Sequence, residues 1–308
     1  MERNIVRVKA PATVANLVCG FDILGMCLQD PYDEIEVKLI DEKKVIIHND
    51  NHYDLPVDPQ LNTAGAPLLE IMNALDERVG FEICIRKNIK PGSGLGSSAS
   101  SAAGAVMAAN HLLQNQFSKE DLVRFAMFGE KVASGVKHAD NVAPGIYGGI
   151  TLIRSIFPLD IISIPSPPLF ITVVHPQIEV KTSDARQILR KEVLLKDAIK
   201  QWGNIAGLVA GLMKQDYQLI GRSLEDVIIE PARSILIPGF DKVKRQCKEA
   251  GALGGGISGS GPSLFMLSED QPTAIAVEKV MKNIYTEIGL AHHTYVTTLN
   301  NQGCSIMQ

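Results

Sequence analysis

Apolar and polar residues alternate at short range where the chain begins. Residues 5–9 and 34–40 alternate or cluster β-branched side chains, and Lys44–His48 continues the pattern up to a polar turn at Asn49–Asp54, so the chain opens as sheet. From Thr63 to Asp76 the apolar positions Ala66, Leu68, Leu69, Met72, Ala74 and Leu75 recur at roughly helical spacing. Gly80 then turns into a strand over Phe81–Arg86, and a long helix of small residues is expected over Ala99–Leu113. A strand over Ile150–Ser155 precedes the stretch Phe157–Pro168, whose four prolines in twelve residues mark a boundary between units 1–160 and 161–308. The second unit reads as strand Leu169–His175, helices over Thr182–Leu195, Leu195–Lys214, Tyr217–Val227 and Asp241–Ala250, and a glycine-rich loop over Gly251–Gly261. Strand Ser263–Leu267, helix Thr273–Ile288 and a last strand near His293–Leu299 follow. Interleaved strands and helices predict an α/β (α+β) chain of two domains.

Composition narrows the function classes. With 45% hydrophobic and 21% charged residues, each half can bury a core. Thirty basic against 34 acidic residues leave a formal charge of -4 and no basic run, which argues against a nucleic-acid partner. Five scattered cysteines without a C-x-x-C indicate reduced thiols, with neither a disulfide frame nor a zinc knuckle. Met1–Ala10 lacks the apolar centre of a secretion signal, and Ser100, Ser101, Asn110 and His111 break up Ala99–Leu113, so no membrane span is expected and the location is read as cytoplasmic. His48 and His52 stand four apart, but Asn49, Asp50 and Asn51 between them form a turn, not a metal-binding helix face.

The strongest chemical signal is Pro91, Gly92, Ser93, Gly94, Leu95, Gly96, Ser97, Ser98, Ala99, Ser100 and Ser101, set between a strand and a helix. Three glycines let the backbone turn tightly and approach a ligand, while the serines cap the incoming helix and offer hydroxyls. Free amides at a helix N-terminus attract anions, so phosphate is the expected occupant of this loop. A flexible turn with a serine cap is the plain alternative. No G-K-[ST] follows, and the spacing is not that of a dinucleotide loop.

This P-x-x-x-G-L-G-S-S-A segment resembles the second motif of the GHMP kinases. Lys9–Asn16 with Gly20, Phe21 and Asp22 resembles their first motif, and Gly254–Pro262 their third. The resemblance implies an N-terminal domain with the fold of ribosomal protein S5 domain 2 and a C-terminal ferredoxin-like domain, with ATP and Mg²⁺ bound in the cleft between them. It also implies that Ser98 and Glu130 hold the magnesium, a donor set sufficient for an ion that keeps water and phosphate oxygens around it.

Acceptor choice rests on residues outside the phosphate loop: Asn16, Asp22, His138, Asp140, Asn141, Thr182, Arg186 and Arg233, with Gly259 from the third motif. An amino acid presents a carboxylate and an ammonium, which call for a cationic fork and an acceptor in one pocket. The segments His138–Pro144, Thr182–Arg186 and Glu230–Arg233 are similar to those of the homoserine kinase branch. That likeness implies Asn16 near the reacting hydroxyl of L-homoserine, Asp22 near its amino group, and Arg186 and Arg233 near its carboxylate. Mevalonate-kinase relatives carry a catalytic aspartate seven residues before a Gly-Gly pair; here that position is Asn141, with Asp140 one residue away. Transfer without a dedicated base is therefore expected. Other acceptors of the same family (mevalonate, a sugar, shikimate), a silent nucleotide-binding regulator and a non-enzymatic scaffold stay open, and a homodimer is expected for a metabolic enzyme of this size.

Overall fold

The computed structural model describes residues 4–50, 52–75, 79–180 and 182–307, Thr182 and Ser183 by their backbone alone. Asp76, the expected end of the first helix, lies outside the described residues. The first half runs β1 (Ile5–Ala15), β2 (Leu24–Ile40), β3 (Val45–Asn49), α1 (Gly65–Ala74), β4 (Gly80–Arg86), α2 (Ser97–Leu112), α3 (Lys119–Ser134), α4 (Val142–Tyr147), β5 (Ile150–Ile156) and β6 (Leu159–Ile164). The second runs β7 (Phe170–Pro176), α5 (Thr182–Gln187), α6 (Leu195–Lys214), α7 (Tyr217–Ser223), α8 (Glu230–Arg233), a 3₁₀ turn, α9 (Phe240–Glu249), β8 (Gly254–Ile257), β9 (Leu264–Ser268), α10 (Gln271–Ile288), β10 (His292–Thr298) and β11 (Ser305–Ile306).

One sheet has the order β11-β1-β2-β4-β3, with β5 on the first part of β2 and β6 beside β5. Among the described residues only β3 and β4 run parallel there. Ile35, Val37, Phe81, Ile83 and Ile85 face the small-residue side of α2, where Ala102, Ala105 and Ala109 are fully buried. The approach is so close that a Cβ on Gly104 would lie 2.6 Å from Ile35 Cγ1. Small residues thus bring the helix that starts at the phosphate-type loop down onto the sheet.

The second sheet, β10-β7-β9-β8, is antiparallel, and its central strands β7 and β9 are buried on both faces. Ile171, Val173, Phe265 and Leu267 project toward α6, α7 and the first sheet, joining a core with Val14, Leu24 and Met26. Their neighbours Val174, Leu264 and Met266 project the other way, onto α9 and α10. This period-two division lets one sheet serve two cores, one of which spans both halves of the chain.

The first two strands run longer than expected, to Ala15 and from Leu24, and the helix at Tyr217 ends at Ser223; three further stretches differ in kind. Phe157–Pro168 is not a bare connector: Leu159–Ile164 forms β6, with Leu159 and Ile164 buried, and three of the four prolines come only after the strand. The helix begun at Thr182 ends at Gln187, because residues 190–195 are exposed and offer no face to bury. Gly254–Ile257, expected within a loop, forms the edge strand β8; Cβ atoms on Gly255 and Gly256 would lie 1.9 Å from Phe265 O and 1.7 Å from Glu230 Oε1, so close packing selects glycine against its low strand preference. Among the described residues no helix is long and apolar enough to cross a membrane.

Candidate functional site: a cleft between a glycine loop and two arginines

A cleft of about 680 Å³ takes its walls from both halves of the chain. At one end lies the loop that follows β4. Gly92, Gly94 and Gly96 all have positive φ (73°, 82° and 65°), the region only glycine enters without strain. Gly94 and Gly96 are also sterically required, since a Cβ would meet Gly261 O at 2.6 Å and Thr13 Oγ1 at 2.0 Å. Gly92 has open space where a Cβ would be, so its backbone lies bare on the cleft wall.

The serines do not cap α2, contrary to the sequence expectation. The N-cap is left-handed Gly96, with no side-chain cap bond. Ser97 Oγ donates instead to Ile89 O (2.8 Å), Ser100 Oγ to Ala10 O (2.9 Å), and Ser98 Oγ to Glu130 Oε1 (2.6 Å). The first amides of α2 therefore keep their attraction for an anion. Ser93, Leu95, Ala99 and Ser100 are buried and do not line the cleft, whereas Pro91, Gly92, Gly94, Gly96, Ser97, Ser98 and Ser101 do.

Glu130 reaches Ser98 from α3, whose start is fixed by a reciprocal Ser118–Asp121 capping box. The glutamate is buried, which raises its carboxyl pKa; the Ser98 hydroxyl opposes that shift. A buried carboxylate and a hydroxyl on a cleft wall form the hard-oxygen pair that suits Mg²⁺. No group of three or more His, Cys, Asp or Glu side chains fit to hold a metal occurs among the described residues. Any cation here would share its shell with ligand oxygens.

At the other end Arg186 Nη2 donates to both oxygens of Asp22 (3.0 and 3.1 Å) and stands 3.2 Å from His138 Nε2. Burial lowers the His138 pKa; Asp22 opposes the shift and Arg186 adds to it. Arg233 is buried, donating through Nε to Ala185 O (2.9 Å) and through Nη1 to Gly259 O (3.1 Å). Asn16 Nδ2 donates to the same Gly259 carbonyl (2.9 Å), and Asn16 Oδ1 accepts from Asp22 N (3.0 Å). Asn141 Oδ1 accepts from Thr13 Oγ1 (2.8 Å). Asp140 is buried between the two ends; desolvation first, then the charges of Asp22 and Glu130, push its pKa up to about 7. Of the acceptor-side candidates, Asn16, Asp22, His138, Asp140, Asn141, Arg186, Arg233 and Gly259 all line the cleft. Thr182 opens α5, and its side chain lies outside the described residues.

The sequence profile described as GHMP kinases N terminal domain matches residues 64–149, and that described as GHMP kinases C terminal matches residues 208–287. A homoserine kinase from Chloroherpeton thalassium is 45% identical over 97% of this chain and 98% of its own length. One from Chlorobium phaeobacteroides is 44% identical over 98% and 99%. The crystal structure of homoserine kinase from Cytophaga hutchinsonii superposes with a TM-score of 0.95 at 48% identity, covering 99% of this chain and 98% of that one. The chain belongs to the GHMP kinase family, in its homoserine kinase branch.

Of the cleft residues in this homoserine-kinase-type chain that the sequence alone does not single out, Phe21 and Lys87 do the most to shape the site. Phe21 lies beneath both guanidinium groups, its ring centroid 4.9 Å from Arg233 Cζ and 5.6 Å from Arg186 Cζ, and so holds the two cations side by side by cation–π attraction. Only its place inside the first motif signalled it. Lys87 sits under the loop, paired with buried Asp33 and donating to Ser97 O (2.8 Å) and Ser101 Oγ (3.0 Å). A lone lysine after a strand gives no sequence signal, because lysine is normally exposed.

Proposed function

We propose that the protein transfers the γ-phosphoryl group of ATP to the side-chain hydroxyl of L-homoserine, giving O-phospho-L-homoserine. The observation that carries this reading is one cleft with an uncapped helix N-terminus and the Ser98–Glu130 pair at one end and a buried arginine, a second arginine and an aspartate at the other. A zwitterionic amino acid matches the second end. Its ammonium replaces Arg186 at Asp22, and its carboxylate takes the fork that Arg186 and Arg233 form. The acceptors named in the homologous kinases favour the same choice over mevalonate, a sugar or shikimate.

In the proposed arrangement the bare backbone of Gly92 and the first amides of α2 receive the nucleotide phosphates, while Ser98 and Glu130 hold Mg²⁺. The metal, when bound, neutralises charge on phosphate oxygens. Asn16 still has one amide hydrogen and one lone pair after its two internal bonds, enough to orient the acceptor hydroxyl. Its left-handed backbone (φ 73°), continued by Leu17 and Val18, sets that amide against the third glycine motif. Transfer through a loose transition state needs alignment and charge neutralisation more than a strong base. Asn141 cannot accept a proton, and in this reading the neighbouring Asp140 does not serve as the acceptor, so transfer proceeds without a dedicated base.

The test is ADP release by the purified protein with ATP and Mg²⁺, comparing L-homoserine with mevalonate, galactose, shikimate, L-serine and no acceptor. Turnover that depends on L-homoserine, with phosphate on its side-chain oxygen, is the expected result. Turnover only with another acceptor would overturn the roles given to Asp22, Arg186 and Arg233.

A further inference from the structure

Glu230 is an almost fully buried carboxylate that does not line the cleft. It starts the four-residue helix α8 that ends at Arg233. Oε1 accepts from Ile257 N (2.9 Å), an outward-facing amide of the edge strand β8, and Oε2 accepts from Lys244 Nζ of α9 (2.6 Å). Gly256 exists to admit this side chain, since any Cβ there would meet Glu230 Oε1. Asp226 fixes the other side of the helix, accepting from the amides of Ile228, Ile229 and Glu230. Beyond Ile257 the chain enters the turn whose Ser258 Oγ donates to Gly94 O (2.6 Å) and whose Gly259 O accepts from both Asn16 and Arg233.

We infer that Glu230 is a positioning residue: by clamping α8 to β8 it sets Arg233 at a fixed distance from the Gly259 turn and so shapes the end of the cleft that receives the acceptor. Losing one buried acceptor leaves the Ile257 amide unpaired at a sheet edge, a cost large enough to move the strand. The displacement falls first on Arg233 and Gly259, and it reaches the glycine loop through the bond from Ser258 Oγ to Gly94 O. The role rests on the proposed acceptor site for its kinetic consequence but not for its geometry.

Steady-state kinetics on Glu230→Ala and Glu230→Gln, with amide hydrogen exchange over residues 254–262, tests it. Glu230→Ala should raise the KM for L-homoserine tenfold or more and change the KM for ATP by a clearly smaller factor. Glu230→Gln, which keeps an acceptor oxygen for Ile257 N, should recover most of that loss. Exchange over 254–262 should be slow in the parent and in Glu230→Gln and faster in Glu230→Ala. An acceptor KM unchanged in Glu230→Ala overturns the inference, as does equal damage in both variants. Should Glu230→Ala not fold, exchange in the parent alone decides, because a rapidly exchanging Ile257 amide would show that the clamp is absent. If the parent shows no turnover with L-homoserine, the acceptor assignment fails, while the exchange measurements still judge the clamp.

Discussion

Asp140 is the side chain where the base-free mechanism is most exposed to test. A carboxyl pushed up to about 7 is half-protonated at neutral pH and could accept a proton, and it lies one residue from the position where mevalonate kinases carry an aspartate. The base-free reading predicts that Asp140→Asn keeps substantial turnover in the ADP-release assay; a loss approaching a hundred-fold, the usual general-base contribution, would sink it. The same variant carries a signed pH signature. A folded-state pKa above the unfolded value stabilises the fold below about pH 4, and that contribution is lost as pH rises toward 7. In that window Asp140→Asn should gain on the parent by at most roughly 1.4 kcal/mol per pH unit, read from urea unfolding at several pH values. Residue types and their order are legible in the sequence, and they bring Asn16, Asp22, Arg186 and Arg233 into one set. Backbone conformation is not: Asn16, Leu17, Val18 and Asp22 all take positive φ without being glycine, and nothing in their identity announces it.

At the scale of elements, α2 is held at its start by an ion pair rather than by a cap. Asp33 of β2 accepts from the amides of Asn88 (2.7 Å) and Ile89 (2.9 Å), shares the single Ser100 hydroxyl proton with Ala10 O (2.9 Å to each), and pairs with Lys87, which in turn donates to Ser97 O. The pair thus joins β2, the end of β4 and the first turn of α2 directly beneath the glycine loop. Burial pulls the Lys87 pKa down while Asp33 opposes it. Lys87→Met would leave Asp33 charged and unmatched, so a loss of about 3–5 kcal/mol is expected in denaturant unfolding. Adding Asp33→Asn should recover part of it, and a single-variant loss under about 1 kcal/mol would show that the pair does not anchor the loop. Periodicity located α2, α6 and α10 within two residues because each has a buried stripe or small-residue face. It missed β8, whose glycines are dictated by Phe265 and Glu230 far away in sequence, and β11, two residues too short to carry a period.

At the scale of the whole molecule, the cleft and the fold depend on the same junction. Asn16, Ser98 and Glu130 come from the first half and Arg186, Arg233 and Gly259 from the second, so a rigid junction is what keeps the two ends of the cleft in register. Two features supply that rigidity. The core shared by Val14, Leu24, Met26, Ile171 and Val173 is continuous across the halves, and after β10 the chain returns to the first sheet, where Val8 and Lys9 pair with Ile306 and Ser305. A unit ending at residue 160 would cut through β6, lose β11 and leave the β1 edge unpaired. The two halves should therefore unfold as one cooperative system. Trp202, the single tryptophan, sits on α6 and reports the second half, while amide exchange in α2 reports the first. Coincident denaturant midpoints from the two probes are expected, with a fragment of residues 1–160 failing to show a cooperative transition. Separate midpoints, or a fragment that folds alone, would mean that the shared core is a docking surface between independent domains; the alignment of the phosphate loop with the two arginines would then vary with domain motion instead of being built into the fold.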